Sequence, residues 1–263
     1  MGNKLRNYML FAVIAFLCMM PRTVFATDTE YDLNQQKTAV VAEDECFAAS
    51  GNYTWLKYTP KADGRLTIIL SELQNASQSA RGYISLYSGS KTRILSSKSI
   101  FYNTANKSRR DWYEIAFGLQ KGQTYYVRIK GDTGVTVTRT FSKIKDTSGA
   151  YRTNAKSIKK NKNKMGLIPA GVSEADWYKI KLTKKQKIRI YYNVKTRGKF
   201  KISVYSGTRL IASQNVYYTS KQRRFTLYLE TNQKQTGLKA GEYYIKVERG
   251  DAVSSGSYKI KWN

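Results

Sequence analysis

The fold is decided by one short stretch, Phe200-Lys201-Ile202-Ser203-Val204-Tyr205-Ser206-Gly207. Its apolar residues Phe200, Ile202 and Val204 alternate with basic and polar ones, and this period of two predicts a strand that is buried on one face. The Ser-Gly pair that follows predicts a turn. The same pattern occurs earlier in the chain as Tyr83-Ile84-Ser85-Leu86-Tyr87-Ser88-Gly89. One strand and its turn are therefore present twice.

Other segments recur at a similar spacing, which indicates an internal repeat of domain size. The offset between matching segments stays between 116 and 122 residues. The matches include Trp55-Leu56-Lys57-Tyr58 with Trp177-Tyr178-Lys179-Ile180, Arg93-Ile94-Leu95 with Arg209-Leu210-Ile211, and Leu119–Ile129 with Leu238–Val247. We therefore predict two copies of one domain, at residues 27–146 and 147–263.

Period-two alternation continues through the second copy, for example in the pair Ile188 and Ile190 and in Tyr258, Ile260 and Trp262. Glycine-containing turn signals separate these runs, and no long stretch after the amino-terminal segment shows a helical period. Short half-buried strands at this spacing are typical of antiparallel β-sandwiches. We predict an all-β chain of two tandem antiparallel β-sandwich domains of jelly-roll-like type.

The first 26 residues have the pattern of a signal peptide. Basic residues precede the apolar run Met9–Met20, and Val24-Phe25-Ala26 provides small residues for cleavage after Ala26. The run is short for a membrane span. We therefore expect a secreted protein, extracellular or cell-wall associated, with no transmembrane segment after cleavage. The mature chain would keep Cys46 as its single cysteine and would have no internal disulfide.

The chain contains no histidine, which excludes Ser-His-Asp and Cys-His catalytic groups and histidine-ligated zinc. Matches to the S-x-x-K motif include those that begin at Ser88 and Ser157. That motif needs its serine at the start of a helix, whereas Ser88 lies in a predicted strand turn and Ser157 in a basic junction. We therefore predict that the protein is not an enzyme.

The net charge of +28 is unevenly distributed along the chain. Residues 27–146 hold 17 basic and 12 acidic residues, whereas residues 147–263 hold 26 basic and 6 acidic ones. Because both copies share one fold pattern, folding does not require this excess, and the second copy is predicted to be the functional polycation. Its basic residues fall in the outward phase of the strands, and tyrosines accompany them. The candidate binding residues are Trp177, Lys179, Lys181, Lys187, Arg189, Tyr191, Lys199, Lys201, Arg224, Tyr244, Lys246, Lys259 and Lys261.

Two simpler explanations remain open for these residues. Any single lysine among them is also explained as an ordinary solvated surface residue. The ring of Trp177 is also explained as a strand-start side chain packed under a loop.

Several motifs of the second copy resemble the bacterial pre-peptidase C-terminal domain. They are Asp176-Trp177-Tyr178-Lys179-Ile180, Val204-Tyr205-Ser206-Gly207, Leu238–Val247 and Gly256–Ile260. That domain is a jelly-roll-like β-sandwich of secreted peptidases and cell-surface proteins, and it is similar to the collagen-binding domains of clostridial collagenases. The resemblance implies a non-catalytic module for adhesion, secretion or substrate attachment. Some members bind calcium, and Glu174 and Asp176 would be the candidate ligands. Two acids are few for a calcium site, so we expect no metal and no other cofactor.

These observations lead to two hypotheses of function. The first is a secreted binding module whose basic, tyrosine-bearing surface attaches to an anionic cell-wall polymer or acidic polysaccharide, with an affinity that falls as salt rises. Nucleic acid is disfavoured as a partner because no nucleic-acid motif is present. The alternative is an accessory or spacer protein that assists another secreted protein, such as a peptidase, and binds no polymer itself.

Overall fold

The computed structural model describes most of the chain after the predicted signal peptide. It covers residues 28–42, 45, 53–74, 79–103, 112–131, 134–226 and 237–263. The predicted signal peptide and Cys46 lie outside these ranges. Within them, no helix combines the length and the apolar character needed to cross a bilayer.

Eighteen strands are found in the described part of the chain, nine in each half. The first nine are β1 (Thr29–Asp32), β2 (Thr38–Val41), β3 (Thr54–Tyr58), β4 (Gly64–Gln74), β5 (Ser79–Tyr87), β6 (Ile94–Asn103), β7 (Trp112–Leu119), β8 (Tyr125–Gly131) and β9 (Gly134–Lys143). A 3-10 helix, Arg152–Asn154, lies between the halves. The second nine are β10 (Lys156–Ser157), β11 (Lys164–Ile168), β12 (Asp176–Leu182), β13 (Arg189–Arg197), β14 (Lys199–Ser206), β15 (Arg209–Tyr217), β16 (Arg223–Thr226), β17 (Gly241–Arg249) and β18 (Ser255–Trp262).

The strands form four sheets with a repeated topology. In the first half, a five-stranded sheet has the order β1-β3-β8-β5-β6 and a four-stranded sheet has the order β2-β9-β4-β7. In the second half, the orders are β10-β12-β17-β14-β15 and β11-β18-β13-β16. Each second-half strand therefore takes the position of the strand nine places before it. The predicted all-β sandwich fold is confirmed.

One feature of the pairing differs from the purely antiparallel prediction. β1 pairs with β3 in parallel, and β10 pairs with β12 in parallel. The other described pairings between named strands are antiparallel. Both parallel partners are short edge strands, so few ladder hydrogen bonds depend on them. In the second half this edge strand is Lys156–Ser157, part of the basic junction.

Each half encloses its own hydrophobic core between its two sheets. The alternation that predicted β14 is realised, because Phe200, Ile202 and Val204 are at most 1% exposed. Burying a side chain of this size contributes about 1.5–3 kcal/mol. In the first core, Ile84 and Leu86 occupy the matching positions of β5 and are fully buried. The same pattern therefore builds both cores.

The two sandwiches contact each other mainly through β7 of the first and the strands β13 and β18 of the second. The carbonyl of Gly118 accepts a hydrogen bond of 2.8 Å from the amide of Ala170. A Cβ atom on Gly118 would lie only 2.8 Å from the amide nitrogen of Gly256. Nearby, Arg65 Nη1 donates to Ser257 Oγ at 3.1 Å. These contacts involve Gly256 and Ser257, at the opposite end of β18 from Lys261.

Candidate binding surfaces

The thirteen candidate residues do not form one surface, because they lie on both sheets of the second sandwich. One group projects from the five-stranded sheet: Trp177, Lys179 and Lys181 on β12, Lys199 and Lys201 on β14, and Tyr244 and Lys246 on β17. The other group projects from the four-stranded sheet: Arg189 and Tyr191 on β13, Arg224 on β16, and Lys259 and Lys261 on β18. Lys187 precedes β13 and is exposed. We call the outer surface of the first group the mixed face and that of the second group the basic face.

Acidic residues neutralise part of the mixed face. Lys179 Nζ lies 3.7 Å from Glu242 Oε2, and Lys246 Nζ lies 2.6 Å from Glu248 Oε2. The hydroxyl of Tyr244 donates to Glu242 at 2.5 Å, and this hydrogen bond holds the pKa of Glu242 below its usual range. Two of the predicted binding lysines are therefore already paired within the chain, which weakens the attraction of this face for an external anion.

Aromatic rings of the mixed face pack against each other. The ring centroids of Trp177 and Tyr205 are 5.6 Å apart, and Lys246 Nζ lies 5.5 Å from the Trp177 ring. Trp177 is half-buried. Sequence analysis missed Tyr205 as its partner, although the repeat Leu86-Tyr87 and Val204-Tyr205 marks an aromatic position in both copies. The ring of Trp177 thus packs against side chains of β14 and β17, which differs from the loop packing of the simpler explanation.

The first sandwich has the same cluster in a more buried form. Trp55 is 3% exposed and lies 5.0 Å from Tyr87 and 6.0 Å from Tyr126, measured between ring centroids. Its indole nitrogen donates to Asp28 Oδ2 at 2.8 Å. Because the cluster recurs in the copy with the lower net charge, it is explained by packing of the outer face rather than by polyanion binding.

The basic face has a tyrosine between cations at its centre. Tyr191 on β13 is opposite Arg224 on β16 and opposite Lys261 on β18. The ammonium of Lys261 lies 5.3 Å from the centroid of the Tyr191 ring. Two residues further along β13, Asn193 is opposite Lys259. These side chains form a continuous polar array across three strands.

Lys195 extends this array along β13, and sequence analysis missed it. Its ammonium donates to the hydroxyl of Tyr218 at 2.9 Å and lies 4.3 Å from that ring. The signal was available, because Lys195 alternates with the buried residues Val194 and Thr196 in the same phase as Tyr191. The basic face therefore has the cations Arg189, Lys195, Arg224, Lys259 and Lys261.

No acidic residue opposes these cations within the strands that carry them. The described strands β11, β13, β16 and β18 contain neither Asp nor Glu. The ion pairs found along the described ranges involve residues elsewhere. Successive outward residues on a strand are about 7 Å apart, and neighbouring strands are about 4.8 Å apart. As far as the described residues show, the basic face is thus an array of positive charges without an ion-pair partner.

Asp176, one of the two candidate calcium ligands, lies inside the second sandwich. It is 7% exposed and accepts hydrogen bonds from Tyr258 at 2.5 Å and from Ser148 at 2.9 Å. Burial, reinforced by the nearby carboxylate of Asp146, raises the pKa of Asp176 to about 7. Glu174 is exposed.

This arrangement does not fit calcium. The ion takes six to eight oxygen ligands, whereas hydrogen-bond donors satisfy both carboxylate oxygens of Asp176. Over the described residues, no group of three or more Asp, Glu, Cys or His side chains is arranged to hold a metal ion. The structure assigns Asp176 a place in a buried hydrogen-bond network instead.

Comparisons with known proteins identify no relative that would name a function. No model of a protein family matches the chain, and no curated protein matches it. Among solved structures, tripeptidyl peptidase 2 is similar at a TM-score of 0.26 and 10% identity over 78% of this chain. The chain spans only 21% of that peptidase's length.

Two further structures resemble the chain at a similar level. A putative secreted protein from Parabacteroides distasonis has a TM-score of 0.19 and 12% identity, covering 85% of this chain and 80% of its own. The Macrobrachium rosenbergii nodavirus structure has a TM-score of 0.21 and 8% identity, covering 76% and 80%. At these TM-scores the similarities carry no information about fold or function.

Proposed function

We propose that this chain is a secreted, non-catalytic binding module that attaches to an anionic cell-wall or extracellular polymer through the basic face. The observation that carries the proposal is the array of Arg189, Lys195, Arg224, Lys259 and Lys261 around Tyr191, with no acid in the described strands of that sheet. The mixed face is a weaker candidate because Glu242 and Glu248 neutralise two of its lysines.

The spacing of the array suits a linear polymer whose charges repeat at intervals of several ångströms. In the strand register each cation is opposite a neutral residue, so neighbouring cations are about 7–10 Å apart, and successive phosphate or carboxylate groups can meet one cation each. Binding of such a chain releases the counterions condensed on it. If all five cations take part, the logarithm of the binding constant is expected to fall by about 3.5 per tenfold increase in salt, at the slope typical of single-stranded polyanions.

Neutral groups within the array allow contacts with the uncharged parts of a polymer. Tyr191 presents a ring and a hydroxyl between Lys261 and Arg224, and Asn193 presents an amide opposite Lys259. Such groups stack on, or hydrogen-bond to, sugar and polyol units. The sequence resemblance to the pre-peptidase C-terminal domain supports the same role, because that domain is an attachment module.

The test is cosedimentation of residues 27–263, the predicted mature chain, with purified bacterial cell walls over a range of salt. A basic-face triple variant, Arg224→Gln/Lys259→Gln/Lys261→Gln, is compared with a mixed-face variant of equal charge change, Lys199→Gln/Lys201→Gln/Lys246→Gln. The proposal predicts a large loss of binding in the first variant and a small loss in the second. Equal losses would contradict the role of the basic face. Wall binding that ignores salt, or no wall binding, would favour the accessory or spacer role.

A further inference from the structure

A lysine-lined pocket lies at the edge of the second sandwich where β10 pairs with β12. Its volume is about 630 Å³, within the usual range for sites that bind small molecules. The charged residues that line it are Lys159, Lys160, Lys179, Lys181, Lys184 and Glu242. We propose that this pocket binds a compact ligand with two or more phosphate groups, independently of polymer attachment by the basic face.

Backbone hydrogen bonds hold the pocket walls in place. The amide of Ile158 donates to the Lys179 carbonyl at 2.9 Å, and the indole nitrogen of Trp262 donates to the Ile158 carbonyl at 2.8 Å. On the other side, Gln186 and Leu238 exchange two backbone hydrogen bonds of 2.9 and 3.0 Å. The lysines therefore extend from segments fixed by the sandwich, and ligand binding does not have to order the backbone first.

The charge of the pocket is only partly compensated. Glu242 is its single acidic lining residue and is paired with Lys179 at 3.7 Å. None of the ion pairs within the described ranges includes Lys159, Lys160, Lys181 or Lys184. Four of the lysines that line this cavity therefore have no ion-pair partner among the described residues, although Lys181 is opposite Glu242 in the strand register. This excess of positive charge favours a ligand of several negative charges.

The first sandwich shows that folding does not require these lysines. The amide of Leu33 donates to the Lys57 carbonyl at 2.8 Å, as the amide of Ile158 does to the Lys179 carbonyl. Leu33 is followed by Asn34 and Gln35, where Ile158 is followed by Lys159 and Lys160. The same backbone thus carries neutral residues in one copy and cations in the other, so the lysines need an explanation other than the fold.

The number of lysines favours phosphate chains over carboxylates, because a phosphate chain carries more negative charge in a small volume. No arginine lines the pocket, so the planar fork that pairs with either group is missing and recognition depends on the point charges of lysine. Each lysine is a compact charge with three rotatable donors, which suits the several oxygens of a phosphate group. The hydroxyls of Ser157 and Thr183 also line the cavity and add neutral hydrogen-bonding groups.

The experiment is isothermal titration calorimetry of residues 27–263 with inorganic tripolyphosphate, at about 0.15 M salt where long-range attraction is screened. In the test variant, Lys159→Asn/Lys160→Gln, the residues of the first copy replace the two lysines. The control variant, Lys259→Gln/Lys261→Gln, removes the same charge from the basic face. Thermal unfolding of both variants tests whether they remain folded.

We expect one tripolyphosphate to bind per chain. The affinity of the test variant is expected to be about tenfold lower, because two charge-assisted contacts are lost. The affinity of the control variant is expected to be lower by less than about twofold. Citrate, which carries fewer negative charges than tripolyphosphate, is expected to bind about tenfold more weakly. Equal losses in both variants, equal affinity for citrate, or absence of binding would each overturn the proposal.

Wall cosedimentation of the test variant separates the two proposals, because the pocket lysines are not needed for attachment by the basic face.

Discussion

Replacing Asp176 with Asn is expected to change how the stability of the second sandwich depends on pH. The carboxyl group is buried and is hydrogen-bonded to Tyr258 and Ser148. Burial and the nearby carboxylates of Asp146 and Glu174 disfavour its charged form, and its pKa rises from 3.8 to about 7. The folded protein therefore keeps this proton at pH values where the unfolded chain has released it.

The sign of the effect follows from proton linkage. Below pH 4, Asp176 is protonated in both states and does not oppose folding. Between pH 4 and pH 7, the unfolded chain loses the proton while the folded state retains it, so stability falls as pH rises. A shift of about three pH units at about 1.4 kcal/mol per unit is worth about 4 kcal/mol. Above pH 7, both states are ionised and the loss is complete.

Urea denaturation of residues 27–263 and of Asp176→Asn between pH 4 and pH 7.5 measures this directly. In the difference between the two unfolding free energies, the contributions of the other titrating groups cancel. As pH rises, the variant is expected to become more stable relative to the parent chain by about 4 kcal/mol. Glu114→Gln removes an exposed carboxylate from β7 and serves as the control for the loss of one acidic side chain. A difference for Asp176→Asn that does not change with pH would refute the buried-carboxyl argument.

Three more substitutions test the packing. Gly118→Ala is expected to destabilise the contact between the sandwiches by about 1–3 kcal/mol, since the new methyl group meets the backbone of Ile168 and Gly256; urea denaturation reports the loss. Phe200→Ala removes a fully buried ring from β14 and is expected to cost about 3–5 kcal/mol, visible as a lower midpoint of unfolding. Trp55→Phe removes the hydrogen bond to Asp28 and is expected to lower the free energy of unfolding by about 1 kcal/mol. A loss above about 3 kcal/mol would show that the outer aromatic cluster stabilises the first sandwich by more than this hydrogen bond.

The sequence was sufficient to predict the strands and their buried phase. Alternation predicts that Phe200, Ile202 and Val204 point inward, and their burial confirms this prediction. It succeeds because local periodicity alone determines which side of a strand is apolar. Periodicity does not determine which sheet a strand joins. Lys179 and Lys259 share the outward phase but lie on opposite faces of the second sandwich, since sheet membership depends on pairing between distant segments.

Two local assignments also depended on distant residues. Asp176 stands next to Trp177 in the sequence and was considered as a metal ligand, but Tyr258 from the other sheet supplies its hydrogen bond. Lys156–Ser157 belongs to what the sequence indicated was a basic junction, yet it forms a parallel edge strand against β12. In both cases the partner lies far along the chain, and no short-range pattern marks it.

The internal repeat separates the requirements of the fold from those of function. Both sandwiches share strand order, cores and the outer aromatic cluster around Trp55 or Trp177, so these features follow from folding. The copies differ in charge, most clearly where Lys159 and Lys160 replace the neutral Asn34 and Gln35. The differences between the copies are therefore the better guide to binding.

The most direct test of the account is the salt dependence of wall binding by the predicted mature chain and by Arg224→Gln/Lys259→Gln/Lys261→Gln. With five cations in contact, the slope of log binding constant against log salt concentration is expected to be about −3.5, and with two remaining it is expected to be about −1.4. An unchanged slope in this variant, or an equal change in the mixed-face variant, would contradict attachment through the basic face.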